Sequence, residues 1–73
     1  MNFESCLVVG AGNAGRPVAR LLNHEGVNVT ISDTKTFDDF TTRRQDRLKI
    51  MENEGVTLDL GNKSPDITKY DAV

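Results

Sequence analysis

The residues with the most evident chemistry are Gly10-Ala11-Gly12-Asn13-Ala14-Gly15, a G-x-G-x-x-G run near the start of the chain. In such a run the first glycine permits a tight turn. The second lets a phosphate approach the main chain with no Cβ in the way, and the third lets a helix lie close against a strand. The unpartnered N–H groups and the dipole of the following helix then favour an anion. The chemistry predicted is phosphate binding within a nucleotide; the same glycines also serve in a turn needed only for packing. Asp33 follows Gly15 by eighteen residues. A carboxylate at that spacing accepts hydrogen bonds from a nucleoside, or simply opens a turn. Thr34 and Lys35 extend the same rim toward a base or phosphate, and Arg16 directly follows the glycines, within reach of phosphate oxygens. All three also suit solvated positions.

These residues need particular elements to hold them. Cys6-Leu7-Val8-Val9 is continuously apolar and ends at a glycine, the pattern of a parallel strand covered on both faces. Ala14, Val18, Leu21 and Leu22 then make an i, i+4, i+7, i+8 stripe, which predicts a helix from about Asn13 to Glu25 with Gly26 ending it. Pro17 falls in the first turn, where its missing N–H is no loss. Val27 to Ser32 alternates apolar and polar, predicting a second strand that delivers Asp33. Thr34 to Asp39 reads as a loop. Thr42 to Glu54 lacks Gly and Pro and carries Leu48 and Met51 three apart, predicting a second, mostly exposed helix that stops at Gly55. Val56 to Leu60 alternates as an edge strand, Gly61 to Pro65 is turn chemistry, and Tyr70-Asp71-Ala72-Val73 reads as the entry to a fourth strand. The fold class is therefore α/β: a Rossmann-like doubly wound parallel sheet, truncated at the start of its fourth strand. Its first strand is expected at the centre of the complete sheet and its third at the edge. Residues 1–73 read as one N-terminal nucleotide-binding domain, a fragment of a longer multi-domain chain.

Composition narrows the function. Nine Lys and Arg against eleven Asp and Glu leave a net charge of −2. No basic run exceeds Arg43-Arg44, so the electrostatic footprint of a nucleic-acid binder is missing and no nucleic acid is expected as a partner. No stretch approaches the ~20 apolar residues of a membrane span, and Met1-Asn2-Phe3-Glu4 lacks the order of a signal peptide. The expectation is a cytoplasmic protein with no membrane partner. Cys6, the one cysteine, lies in an apolar run and reads as a buried, inert thiol. His24, in the last turn of the first helix, matches the helix dipole. Asp38-Asp39 and the group Arg43, Arg44, Arg47 and Lys49 read as solvated faces of a loop and a helix. With no metal-ligand cluster, nucleophile elbow or G-x-x-x-x-G-K-[ST] loop, no catalytic residue and no metal are expected in the segment itself.

The order strand, G-A-G-N-A-G, helix, V-T-I-S-D-T-K, then E-G-V-T-L-D-L-G followed by a polar loop and Asp71-Ala72-Val73 resembles the N-terminal domain of the Mur ligase family, closest to its D-glutamate-adding members. The resemblance covers essentially the whole chain. It implies binding of a UDP-linked cell-wall precursor, with the diphosphate at Gly12, Asn13, Ala14 and Gly15 and uracil near Asp33 and Thr34. Many relatives carry Ser or Thr where this chain has Ala14, so the resemblance passes that hydroxyl's role to Asn13 or Arg16. It further implies a parent enzyme that uses ATP and Mg²⁺ to activate a carboxylate as an acyl phosphate and then forms an amide with an amino acid. The present domain would hold the nucleotide end, and later domains of the same chain would be its partners. The wall polymer, peptidoglycan or pseudopeptidoglycan, stays open. Two other readings keep the same glycine loop but place NAD on it: a NAD(H)-binding regulatory domain of a potassium-transport system, and the NAD(P)-binding domain of an oxidoreductase. Both resemble V-V-G-A-G-x-x-G-x-x-V-A-x-x-L with an acidic end to the second strand.

Overall fold

The structure, a computed structural model, describes residues 4–12, 15–71 and 73. Strand β1 (Ser5–Val9) leads into helix α1 (Gly15–His24), which returns the chain to strand β2 (Asn28–Asp33). After a 3₁₀ turn at Phe37–Asp39, helix α2 (Thr42–Asn53) leads to strand β3 (Thr57–Leu60), and a second 3₁₀ turn covers Ile67–Lys69. The three strands form one parallel sheet in the order β1-β2-β3, built from two consecutive strand–helix–strand crossovers. The fold is α/β and consistent with a truncated Rossmann-like sheet.

The register explains which side chains face the helices. Cys6 pairs with Val29, Val8 with Ile31, and Ile31 in turn with Leu58, so these residues share one face. Cys6, Val29 and Ile31 form the core with Ala19 and Leu22 of α1 and Leu48 and Met51 of α2, so both helices cover that face. Fully burying an Ile or Leu such as Ile31 or Leu48 contributes about 1.5–3 kcal/mol each. The helices also meet one another directly. Arg20 pairs with Glu54 at 3.2 Å, and the Asn23 side-chain amide donates to the Glu54 carbonyl at 2.9 Å. The ion pair is exposed and adds at most about 1 kcal/mol. The Asn23 bond fixes how the end of α1 meets the end of α2.

Several boundaries and one stripe differ from the sequence expectations. β2 begins at Asn28 rather than Val27 and ends at Asp33 as expected, and β3 begins at Thr57 rather than Val56. Of the expected helix, Asn13 and Ala14 lie outside the described residues. The expected apolar stripe of α1 is only partly buried: Ala19 and Leu22 are the buried residues, while Val18 and Leu21 are half exposed or more. The reason is tertiary. α1 packs toward β2 as well as β1, and Val18 lies instead with Val9 and Val73 along the outer side of β1. There β1, expected at the centre of a larger sheet, is an edge, and Val9 is 65% exposed. No fourth strand is formed among the described residues. Tyr70 and Asp71 nevertheless come back to the start of β1, where the Asp71 carboxylate accepts from the Glu4 and Ser5 N–H groups at 2.8 and 3.2 Å and the Asp71 N–H donates to Ser5 Oγ. The opposite sheet face is less fully covered: Leu7 and Ser32 are buried there, but Asn28 and Val9 are exposed.

Candidate functional site

The glycine loop leaves β1 at its C-terminal end. Gly10 takes a positive φ of 99°, which L side chains rarely adopt, and its N–H donates to the Ser32 carbonyl at 2.6 Å. The loop is thereby pinned to β2. Gly15 opens α1 so close to the loop that an added Cβ would lie 2.7 Å from the Gly10 carbonyl oxygen and 3.0 Å from Val8 Cγ1. Around Gly12, by contrast, an added Cβ would meet nothing within 4 Å among the described residues. Gly15 thus packs closely against the loop and β1, as expected of the third glycine, whereas Gly12 has open space beside it among the described residues. The Arg16 N–H donates to the Gly12 carbonyl at 3.2 Å, joining the loop to the first turn of α1.

Asp33 lies directly beside this loop. Its Oδ2 accepts from the Ala11 N–H at 2.9 Å and its Oδ1 from the Lys35 N–H at 3.0 Å. Burial pushes the carboxyl's pKa up, but the N–H groups of Ala11, Lys35 and Thr34 and the Lys35 charge outweigh it, so Asp33 titrates below the ordinary carboxylate range. One side chain thus ties the glycine loop to the end of β2 and remains ionised at neutral pH. With three N–H groups on the two oxygens, one lone-pair direction is left for a ligand donor. A folded-state pKa below the unfolded value stabilises the fold above about pH 4, and the contribution is lost as pH falls through the folded value. Asp33→Asn is expected to cost about 1–2 kcal/mol at pH 7, because an amide cannot accept both N–H donors equally. Thermal melts from pH 7 to pH 2 check this. The gap between wild type and variant should close below about pH 4, and a gap constant across that range would mean that the charge is not what holds the loop.

Thr34 and Lys35 are both exposed on the rim beyond Asp33. Lys35 does more with its backbone than the sequence reading foresaw: its carbonyl accepts from the Gly61 N–H at 2.8 Å, while the Asp33 carbonyl accepts from Asn62 at 3.1 Å. The loop after β3 is thus fastened to the loop after β2. The Lys35 ammonium lies 5.9 Å from the Phe40 ring centroid, near enough for a weak cation–π contact. The structure accordingly brings Gly10, Gly12, Gly15, Arg16, Asp33, Thr34 and Lys35 to the C-terminal end of the sheet, where ligands of open parallel sheets bind. Asn13 and Ala14 lie outside the described residues.

Over 68 residues the chain is 47% identical to an uncharacterized protein of Methanothermobacter thermautotrophicus, covering 92% of this chain and 22% of that protein. Over 62 residues it is 39% identical to a UDP-N-acetylmuramoylalanine--D-glutamate ligase of Nostoc sp., covering 82% of this chain and 13% of the ligase. The same ligase of Trichormus variabilis gives 39% identity over 62 residues and 14% of its length. The chain is thus similar to part of a Mur ligase, and it spans less than a quarter of the relatives it matches. No protein-family model matches it.

The structure also gathers residues that the sequence reading left apart. Arg43, Arg44 and Arg47 of α2 face Arg16 of α1 across an open cleft whose rim includes Thr41. The spacings 43/47 and 44/47 are i, i+4 and i, i+3, so a shared helix face was legible. That this face meets Arg16 depends on how the two helices pack, which no local pattern carries. Among the described residues no group of three or more His, Cys, Asp or Glu is placed to hold a metal, and no helix is long and apolar enough to cross a membrane.

Proposed function

We propose that this chain is the nucleotide-binding end of a larger, ATP-dependent Mur-type ligase, acting in the cytoplasm on a UDP-linked cell-wall precursor. The observation that carries the reading is the open space at Gly12 beside Asp33, on a loop that the Ala11 N–H ties to the Asp33 carboxylate. A diphosphate fits against main-chain N–H groups where no described side chain intrudes, and a base or ribose donor then reaches Asp33 or Thr34. The similarity to D-glutamate ligases favours UDP over other nucleotides. In this reading Gly10, Gly12, Asn13, Ala14, Gly15 and Arg16 surround the diphosphate, while Asp33, Thr34 and Lys35 take the nucleoside.

The contribution of such a domain is positional. Holding the nucleotide end fixes where the distant carboxylate of the precursor lies, which lowers the entropic cost of the encounter without any chemistry here. ATP and Mg²⁺ would serve the parent ligase. The chain's partners would be the later domains of the same protein.

Amide chemical shifts of the full chain, titrated separately with UDP and NAD, test the assignment. UDP is expected to move the resonances of Gly10, Gly12, Gly15 and Asp33 saturably, with NAD leaving them in place at equal concentration. The opposite result would retire the ligase reading in favour of a NAD(H)-binding sensor or a dehydrogenase domain, whose acidic residue at the end of the second strand would hold the ribose.

A further inference from the structure

The cleft between α1 and α2 has a volume of about 370 Å³ and is lined by Arg16, Thr41, Arg43, Arg44 and Arg47. Four guanidinium-bearing residues from two helices surround one space, and no carboxylate lines it among the described residues. Glu54, which caps the far end of α2, is engaged with Arg20. Burial lowers the Arg16 pKa from its usual value, and the charges of Arg44 and Arg47 lower it further. An anion in the cleft would be attracted by these positive charges at short range, Arg43 and Arg47 presenting theirs from exposed positions.

We propose that this cleft is an anion site that takes a phosphate or diphosphate group. Arginine suits this better than lysine, because its planar fork donates two parallel N–H bonds to phosphate oxygens, and several forks around one cavity match a multiply charged anion. Two further donors lie at the rim. Thr41 caps α2 by accepting from the Arg44 N–H at 3.3 Å, which leaves its hydroxyl proton to donate, and the first-turn N–H groups of this twelve-residue helix add the favourable end of its dipole. The site adjoins the glycine loop and shares Arg16 with it, while Thr41, Arg43, Arg44 and Arg47 come from α2 and its cap. Its phosphate comes either from a nucleotide seated on that loop or from a separate small anion.

The test is a titration of the full chain with inorganic pyrophosphate, read on the Arg Nε–Hε resonances. Arg43 and Arg47, both exposed, are the residues to vary, since Arg16 and Arg44 take part in other interactions. Saturable shifts at Arg43 and Arg47 are expected, with affinity weakened at least about tenfold in R43Q/R47Q, the loss of two charge-assisted contacts. The control K63Q/K69Q removes the same net charge elsewhere and should bind as wild type does. Raising salt from about 50 to 500 mM should also weaken binding, since the cleft is open to solvent. No saturable shift at these arginines, or equal affinity in R43Q/R47Q and wild type, would overturn the proposal. Adding UDP separates the two sources: competition with pyrophosphate means that the nucleotide supplies the phosphate, and simultaneous binding means a separate anion. The result does not depend on the UDP reading. Pyrophosphate shifts at Arg43 and Arg47 without any UDP shift at Gly12 or Asp33 would keep this site and remove that one.

Discussion

Gly15→Ala is expected to lower the melting temperature by about 5 to 20 °C. The added Cβ would sit 2.7 Å from the Gly10 carbonyl oxygen, closer than real Cβ atoms come to other atoms, and a tight 3.0 Å from Val8 Cγ1. Relief requires movement, and the neighbours are held. Gly10 is fastened through its N–H to Ser32, and the adjacent Ala11 through its N–H to Asp33. Alanine would otherwise favour the helix by about 1 kcal/mol. Overpacking against a fixed backbone typically costs about 1–3 kcal/mol and can cost more, and in a domain of this size each kcal/mol moves the midpoint by about 4–8 °C. Scanning calorimetry decides it. A variant as stable as wild type would mean that the helix is not seated on the loop in this way, and the close helix–strand packing ascribed to the third glycine would have to be given up.

Gly12→Ala should do the reverse, leaving stability nearly unchanged and removing ligand affinity. Nothing among the described residues lies within 4 Å of the added Cβ, and Gly12 is not among the glycines with positive φ, so the folded chain accommodates a methyl group without strain. A diphosphate on this loop would meet that methyl group where it must approach the N–H groups. Losing one or two charge-assisted main-chain hydrogen bonds costs about 1.5–3 kcal/mol each, so UDP affinity should fall at least about tenfold. Calorimetric titration beside a thermal melt gives both readings. Unchanged UDP affinity with an intact fold would show that the nucleotide does not sit over Gly12. Loss of both stability and affinity would make the position structural. The pair of glycines thus separates packing from binding within one six-residue motif.

Much of this protein was legible in local pattern. The glycine spacing, the apolar run before it and the alternation around Val29 and Ile31 depend only on neighbours along the chain, and they named three strands, two helices and the loop between β1 and α1. The role of Asp33 was half legible. Its spacing placed it at the end of β2, but not the fact that its carboxylate holds the Ala11 N–H, because that contact joins residues 22 apart in sequence. The apolar stripe of α1 was misleading in part, since periodicity reports which side chains share a face and not what that face meets. Val18 and Leu21 share the apolar side of α1, and the described chain leaves both largely exposed.

The sequence by itself determined the alternation of strands and helices, the glycine turn and the placing of Asp33 eighteen residues beyond it, because each follows from backbone sterics and side-chain period within one element or turn. Only the tertiary structure decided which glycine is packed and which is open, that the loop after β3 is bonded to the loop after β2, and that Arg16 shares a cleft with Arg43, Arg44 and Arg47. These depend on how two helices lie on one sheet face, and that arrangement is set by the joint burial of Ala19, Leu22, Leu48 and Met51 against the strands, a property of the packed core and of no single segment.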